Sequence, residues 1–512
     1  MDYAHLLDHL KTAVSPDGPR RQGLYAALRG AVLDGRLPPG TKLPASRALA
    51  AELALARNTV IHAYEQLVTE GYLVADRRAT RVAPLPLGMA GDRASGDAAA
   101  DPADIRLPPP TTSALPPLAH RAARINARRH GLDGPPRPFS PGVPDLGRFP
   151  FAAWRACLDA AWRDATPAQL HYSPPGGDPL LREAIARHLA VSRGVRCTPQ
   201  QVVVTPGIQG AIAVCAWLLA EAGATAWLEN PGYPGARSAF AWAGLDVRGI
   251  AVDGQGLAPT AADWDEAPPR LIYLTPAHQY PLGTVLSLER RLALIARARQ
   301  CGAWLLEDDY DAEFRYESRP LPALQGLDTD APVLYLGTFS KTLLPGLRLA
   351  YVVAPEAIAA DLGRAVTDLL RPGQGVEQRA LADFIAKGRF AAHLQRMRRL
   401  YAERQALLRR LLAERLPAVA GLPATVTGGA AGLHLTLALP PDLPDRAAVA
   451  TLVQRGLDPR PVSAYCLAGT APAGGNGLVL GYGNTDAAIL PAAVEQLAAG
   501  LADARGAQRR RP

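Results

Sequence analysis

The sequence predicts a multidomain protein: a small helical domain with a short hairpin at the N-terminus, then a larger α/β domain, then a smaller α+β domain. Three observations lead there. The chain has 512 residues, more than one ordinary core organises. A Pro-, Ala- and Gly-rich stretch with little periodicity separates a helix-patterned N-terminal segment from the rest. Beyond it, short apolar runs alternate with helical stretches, the pattern of a mostly parallel sheet covered on both faces. The predicted divisions are 1–83, a linker over 84–138 partly stiffened by proline, a large domain over 139–375 and a small domain over 376–512. Residues 88–103 have the composition of a disordered segment.

With 48% hydrophobic and 20% charged residues, the composition is that of a soluble globular protein. Even the apolar run 212–220 is too short to span a bilayer, so no membrane partner is expected. Met1-Asp2-Tyr3-Ala4-His5 opens without a basic-then-apolar signal pattern, and a cytoplasmic location is expected. The five cysteines, Cys157, Cys197, Cys215, Cys301 and Cys466, contain no Cys-x-x-Cys pair. That argues against a disulfide framework and against a zinc site and fits a reducing compartment, and no metal is expected. A net charge of +8 is modest for this length and does not by itself establish a nucleic-acid partner.

In the N-terminal segment Leu24, Leu28 and Val32 recur every four residues and form one helical face, which stops at Gly35 and Pro38-Pro39-Gly40. Ser46 is placed as the N-cap of a second helix with Leu49, Ala50 and Leu53 on one side. A third helix starts near Arg57 or Asn58, turns Val60, Tyr64, Leu67 and Val68 inward, and ends at Gly71. Residues 72–74 and 80–82 read as two short strands. A short helix, a tight turn and a second helix is the helix-turn-helix geometry, which sets the first residues of the second helix at base edges in the major groove. Those residues are Arg57, Asn58, Thr59 and His62; Arg suits guanine and Asn suits adenine. Between Arg36 and Val60, Arg36, Lys42, Arg47 and Arg57 face only Glu52, and Arg77, Arg78 and Arg81 crowd the hairpin. A three-helix bundle with a merely solvated basic face fits the same charges.

The segment Leu37-Pro38-Pro39-Gly40-Thr41-Lys42-Leu43-Pro44-Ala45-Ser46-Arg47-Ala48-Leu49-Ala50, followed by Arg57-Asn58-Thr59-Val60 and Ala63-Tyr64-Glu65-Gln66-Leu67, strongly resembles the GntR-type winged helix. The resemblance covers about 60 residues and implies a double-stranded DNA operator, with Ser46, Arg47, Arg57, Asn58, Thr59, His62, Arg78, Thr80 and Arg81 as its contacts. One departure lies in the wing: Arg78-Ala79-Thr80-Arg81-Val82 stands where that family usually has a glycine-containing tip.

The strongest chemistry lies between Thr205 and Arg348. In Thr338-Phe339-Ser340-Lys341 a lysine follows an apolar strand, and Arg348 sits seven residues on. A lysine amine forms a Schiff base with an aldehyde, an arginine fork suits a phosphate, and the Thr338 and Ser340 hydroxyls add donors. Taken alone, these are also consistent with a surface Lys and Arg near a loop. Leu305-Leu306-Glu307-Asp308-Asp309-Tyr310-Asp311, however, puts acids and a tyrosine at the end of another apolar strand, where ligands collect in open α/β sheets. A carboxylate beside a ring nitrogen keeps that nitrogen protonated. Thr205-Pro206-Gly207-Ile208-Gln209-Gly210 lies between a strand and a helix, where backbone N–H groups hold an anion. Tyr233, in Glu229-Asn230-Pro231-Gly232-Tyr233, offers a ring for stacking.

Together these elements resemble the fold type I, aminotransferase-like pyridoxal phosphate proteins over about 360 residues. The resemblance implies pyridoxal 5′-phosphate as cofactor, Lys341 as the aldimine lysine, Asp308 at the pyridine nitrogen and Tyr310 at the phenolic oxygen. It gives the phosphate to Arg348, Thr338, Ser340 and the Gly207-Ile208-Gln209 turn, and the stacking ring to Tyr233. Pro276-Ala277-His278-Gln279-Tyr280-Pro281 departs from the Asn-Pro-x-Gly of many aminotransferases but is typical of the MocR/GabR regulators, which join a GntR-type winged helix to this fold. Near the C-terminus, Gly477-Leu478-Val479-Leu480-Gly481-Tyr482 lacks the Arg that often clamps a substrate carboxylate there; Arg460 is an alternative. The resemblance to MocR/GabR implies a homodimeric, cofactor-dependent transcription regulator that senses an amine, an amino acid or the cofactor itself. The rivals are a working aminotransferase with an accessory N-terminal domain, and a DNA-binding protein whose large domain is only a dimerisation scaffold.

Overall fold

The computed structural model describes residues 20–76, 79–84, 135–316, 322–328, 330–429, 431–467, 469 and 475–509. Most of the expected linker and Arg77 and Arg78 lie outside them. The chain divides into two compact units, residues 1–114 and 115–512. No helix among the described residues is long and apolar enough to cross a membrane.

In the first unit α1 (Arg20–Leu33), α2 (Ser46–Glu52) and α3 (Arg57–Thr69) precede a hairpin of β1 (Leu73–Ala75) and β2 (Thr80–Val82). Leu24, Leu28, Leu49, Val60, Leu67, Leu73 and Val82 close a common core. The residues at 40–43 run beside β2, with Leu43 N–H donating to Thr80 O at 2.9 Å and Val82 N–H to Thr41 O at 3.0 Å. At the wing, the Ala79 N–H donates to Asp76 Oδ1 at 2.7 Å, so a carboxylate closes the turn where glycines usually do. Ser46 is not the cap expected from the sequence. Ala45 holds that place in extended backbone without a side-chain cap bond, and Ser46 is the first helical residue. Pro44 explains the shift: its carbonyl is tied down by the Tyr64 hydroxyl at 3.0 Å, which fixes the entry of the chain one residue earlier.

The second unit is built on an eight-stranded sheet: β3 (Val202–Thr205), β4 (Thr225–Asn230), β5 (Asp246–Asp253), β6 (Gly256–Leu257), β7 (Leu271–Leu274), β8 (Trp304–Asp309), β9 (Val333–Thr338) and β10 (Ala350–Val353). Its order is β3-β10-β9-β8-β7-β4-β5-β6. Strands β9, β8, β7, β4 and β5 pair in parallel, and β10 runs antiparallel to both β9 and β3. Strand β3 therefore points the same way as β9. One face, including Val203, Leu228, Leu306, Leu336 and Val352, packs on Ile212, Phe240 and Leu362 from helices Ile208–Leu219, Pro234–Trp242 and Glu356–Leu370. Trp227, Ile272, Leu305 and Val333 meet Leu294 and Ile295 of helix Leu288–Cys301 on the other. Both faces are covered, as continuous apolar strands require.

A second sheet, β11 (Val426–Thr427), β12 (His434–Ala438), β13 (Arg460–Pro461) and β14 (Gly477–Gly481), has the order β11-β12-β14-β13 and is antiparallel throughout. Long helices Arg389–Arg415 and Leu490–Arg509 accompany it. Phe139 bridges to Gly481, so the start of this unit is stitched to its last strand. A side chain at 481 would place Cβ 2.1 Å from the Ser140 carbonyl oxygen, which is why the triplet Leu480-Gly481-Tyr482 needs its glycine.

Candidate functional site

Five strands with a common direction, β3, β4, β7, β8 and β9, deliver their carboxyl ends to one edge of the sheet, and the predicted residues follow those ends. Strand β9 ends at Thr338, and the Ser340 N–H and the Thr338 hydroxyl are linked at 3.2 Å. Lys341 follows, its Nζ donating to the Gly142 carbonyl at 2.7 Å. Gly142 sits at φ +74°, and a Cβ there would lie 3.0 Å from Lys341 Nζ. Arg348 holds a left-handed backbone, φ 52°, which costs a non-glycine residue on the order of 1–2 kcal/mol. That conformation brings its guanidinium to the carbonyl of Pro206 at 3.3 Å. Gly207, at φ +83°, is the N-cap of helix Ile208–Leu219, and a Cβ on it would lie 2.8 Å from Arg348 Cζ. The turn, the helix start with Ile208 and Gln209, and the arginine thus converge. Gln209 Nε2 donates to the Tyr233 hydroxyl at 2.9 Å, and the Tyr233 ring stacks on Tyr273 with centroids 6.3 Å apart.

Strand β8 carries three consecutive acids, and the alternation of a strand sends them to opposite faces. Glu307 accepts from the Leu324 N–H at 2.9 Å, and Asp309 is locked to the buried Arg193 at 2.5 Å and to the Tyr335 hydroxyl at 2.6 Å. Asp308 points the other way. Its Oδ2 accepts from the Tyr273 hydroxyl at 2.5 Å, while its Oδ1 is buried without a partner. Burial pushes the Asp308 carboxyl up to about 7, against the pull of the Tyr273 hydroxyl and Lys341. A buried acceptor left empty costs about 1–3 kcal/mol, so an N–H donor placed there would be held firmly. The Tyr310 hydroxyl donates to the His278 carbonyl at 3.0 Å and lies 3.1 Å from His278 Nδ1. That imidazole also faces Asp311 at 3.2 Å and the His434 ring at 4.8 Å between centroids. Burial, with His278 and Lys341 nearby, holds His434 well below the usual imidazole range.

Sequence reasoning missed Tyr273, Gly142 and Glu229. Tyr273 looks like one more apolar residue of β7, and Gly142 lies 199 residues from the lysine it serves. Glu229 is buried at the end of β4, accepts from Thr275 Oγ1 at 2.6 Å and has its carboxyl pushed up to about 7 by burial. Glu307, equally buried, is also raised to about 7. All three carboxyls bind protons more tightly folded than unfolded. Their contribution to stability is complete below the ordinary carboxylate range near about 4 and is lost as pH rises through about 7. Glu229→Gln should therefore remove part of the fall in thermal midpoint of the cofactor-free protein between roughly pH 4 and 7, a comparison in which the opposite contribution of the depressed His434 cancels. Identical pH profiles of the midpoint for wild type and Glu229→Gln in differential scanning calorimetry would contradict the burial reading.

In the first unit Arg57 and Asn58 open α3 and are exposed, as is Arg47 on α2; Ser46, Thr59 and His62 are half-buried beside them. Thr80 and Arg81 lie on β2, and Arg81 reaches the Gly40 carbonyl at 3.3 Å. Arg78 lies outside the described residues. The position ahead of Leu480 is Val479, buried in β14, and Arg460 is held by Asp458 at 3.0 Å.

A winged helix with an exposed polar N-terminal turn on its third helix, joined to an aminotransferase-like α/β unit, is the architecture of a DNA-binding regulator. Residues 142–462 match the family of aminotransferases of class I and II, and residues 20–82 match the bacterial regulatory proteins of the gntR family. The chain is 40% identical over 391 residues, 76% of each protein, to the probable rhizopine catabolism regulatory protein MocR of Rhizobium meliloti. It is 34% identical to the HTH-type pyridoxine biosynthesis transcriptional regulator PdxR of Corynebacterium glutamicum, over 94% of this chain and 96% of that one. Among solved structures, LysN, the α-aminoadipate aminotransferase of Thermus thermophilus complexed with N-(5′-phosphopyridoxyl)-L-leucine, superposes with a TM-score of 0.68 at 28% identity, covering 76% of this chain and 98% of that one. The chain belongs to the MocR-type family of HTH-type transcriptional regulators, with a GntR winged helix fused to a fold type I aminotransferase domain.

Proposed function

We propose that this regulator carries pyridoxal 5′-phosphate on Lys341 and reports an amine, an amino acid or the cofactor itself to its DNA operator. The observation that carries the reading is the unpartnered, buried Asp308 Oδ1 at the same strand edge as Lys341 and the Gly207–Arg348 cradle. Bound there, the cofactor supplies an aldehyde that captures amines and a ring that takes up electrons. Lys341 anchors it, and Asp308 accepts from the ring nitrogen and keeps it protonated. Tyr310 serves the phenolic oxygen, and Tyr233 stacks on the ring. Arg348, Thr338, Ser340 and the turn Gly207, Ile208 and Gln209 hold the phosphate through a guanidinium fork, hydroxyls and a helix start. The protein works as a cytoplasmic homodimer. Its domains divide as 1–83, 84–138, 139–375 and 376–512.

Two facts favour weak turnover. Val479 leaves no arginine ahead of Leu480-Gly481-Tyr482, and Asp458 already engages Arg460, so a substrate carboxylate lacks its usual clamp. They also favour the cofactor itself as effector, in keeping with the name of the pyridoxine biosynthesis regulator among the relatives. A gel-shift scan of the gene's own upstream DNA, with and without pyridoxal phosphate, tests this. Operator affinity indifferent to the cofactor and to every amine tried would sink it.

For DNA, Ser46, Arg47, Asn58, Thr59, His62, Arg78, Thr80 and Arg81 contribute contacts around Arg57. Arg57→Ala is expected to cost about 1–3 kcal/mol of specific operator binding if Arg57 reads a base. Arg81→Ala, at a phosphate, should weaken all sequences alike and lower the salt slope by about 1. Unchanged operator affinity in both variants at moderate salt would refute the placement of α3 in the groove.

A further inference from the structure

Away from the cofactor edge, the second unit carries an open cavity of about 1180 Å³ between helix Pro179–Ser192, helix Gly375–Ala386, the start of Arg389–Arg415 and residues 312–316. Ala184, Ala382, Ile385, Phe390 and Leu394 give it an apolar stretch of wall, and charged residues, Arg187, Arg379 and Arg398 among them, share the lining. Its polar residues are unusual. Arg193 lines it, 4% exposed, with Nε spent on Asp309 and both terminal nitrogens without a partner. Glu313 Oε2 and His188 Nε2, also from lining residues, are buried and equally unpartnered. Each such group costs free energy comparable to a lost hydrogen bond, and three of them beside one cavity point to a polar occupant. The Asp308 oxygen in the cofactor site is unpartnered in the same sense. The two free nitrogens of a guanidinium form a planar fork that matches a carboxylate. Burial pushes the Glu313 carboxyl up to about 8, so near neutrality it adds little negative charge to the cavity.

We propose that this cavity is a second ligand site, for an organic monocarboxylate whose carboxylate takes the terminal nitrogens of Arg193 and whose apolar body lies along Ala184, Ala382, Ile385 and Phe390. The site is separate from the cofactor edge: Arg193 and Asp309 lie on the face of β8 opposite to Asp308.

The test is calorimetric titration of the cofactor-loaded full-length protein with straight-chain carboxylates from acetate to octanoate, and with their methyl esters. Affinity should rise about fourfold with each added methylene, and the esters should fail to bind. Arg193→Lys keeps a cation for Asp309 but loses the fork, and should weaken octanoate at least tenfold. Ala382→Phe leaves Arg193 untouched and puts a ring where the apolar body would lie, and should weaken octanoate at least tenfold while the cofactor's visible absorbance is unchanged. No heat with any acid up to millimolar concentration in a folded wild type would overturn the proposal. So would binding equal in both variants, or esters binding as well as acids. No DNA enters the measurement, so its outcome is independent of the regulatory reading.

Discussion

Lys341→Ala is expected to give a folded protein that still binds its operator but no longer answers to any ligand. Lys341 lies beyond the end of β9, its Nζ donating to the Gly142 carbonyl, so replacing it leaves the hydrogen-bonded ladder of the sheet and the first unit intact. What goes is the covalent anchor. The purified wild type should show a visible absorption band that borohydride removes, with mass spectrometry placing the reduced adduct on Lys341; the variant should show neither. A ligand shifts DNA binding only through a difference in its affinity for two arrangements of the protein, a coupling of typically about 1–3 kcal/mol, or about 5–150-fold. Operator affinity in the wild type should move by that factor when candidate amines or the free cofactor are titrated, and in Lys341→Ala it should stay still. An adduct on another lysine would overturn the anchor. Rapid multiple turnovers with a common amino acid and keto acid, alongside operator affinity indifferent to every ligand, would return the protein to the aminotransferases.

Asp308→Asn should lower cofactor affinity by about 3–5 kcal/mol, a hundredfold to several thousandfold, because it removes one partner of a buried charged pair while nearly preserving shape. The hydroxyl of Tyr273 retains an acceptor in the amide oxygen, so stability should change little. Equilibrium dialysis of pyridoxal phosphate against wild type and variant reads the difference. Equal affinities would place the ring nitrogen elsewhere, and a parallel collapse of the thermal midpoint would make Asp308 a structural residue instead.

Much of this was legible in the sequence because local physics agrees with the fold. Strands β7 and β10, Leu271–Leu274 and Ala350–Val353, coincide with short apolar runs of the sequence. The three helices of the first unit follow from spacings of three and four residues. What escaped did so for identifiable reasons. Strand β5, Asp246–Asp253, mixes Asp, Arg and Gly with its aliphatics because β6 alone separates it from the sheet margin, and the apolar pattern thins there. The antiparallel direction of β10 has no signature in its own residues; it depends on where the preceding loop turns. Strand β8 carries all three acids within its ladder, through Asp309, since Arg193 and Tyr335 compensate the buried charge of Asp309 from distant parts of the chain. Lys341, Asp308, Tyr310 and Arg348 were recognisable by residue type and order, whereas Tyr273 and Gly142 become meaningful only once the chain is folded around them.

The bridge between Phe139 and Gly481 sets an order of events on the ribosome. The Phe139 N–H is satisfied by Thr485 Oγ1, a partner 346 residues further along. The first unit, by contrast, closes its core within residues 24–82. Contacts at short separation form early and those at long separation wait for the chain to arrive. The winged helix therefore has all its partners while the strands of the large sheet are still being made. A nascent chain halted before β14 carries a finished DNA-binding unit and a Phe139 without its bridge to Gly481, so the arrival of β14 is what seals the ligand-binding half.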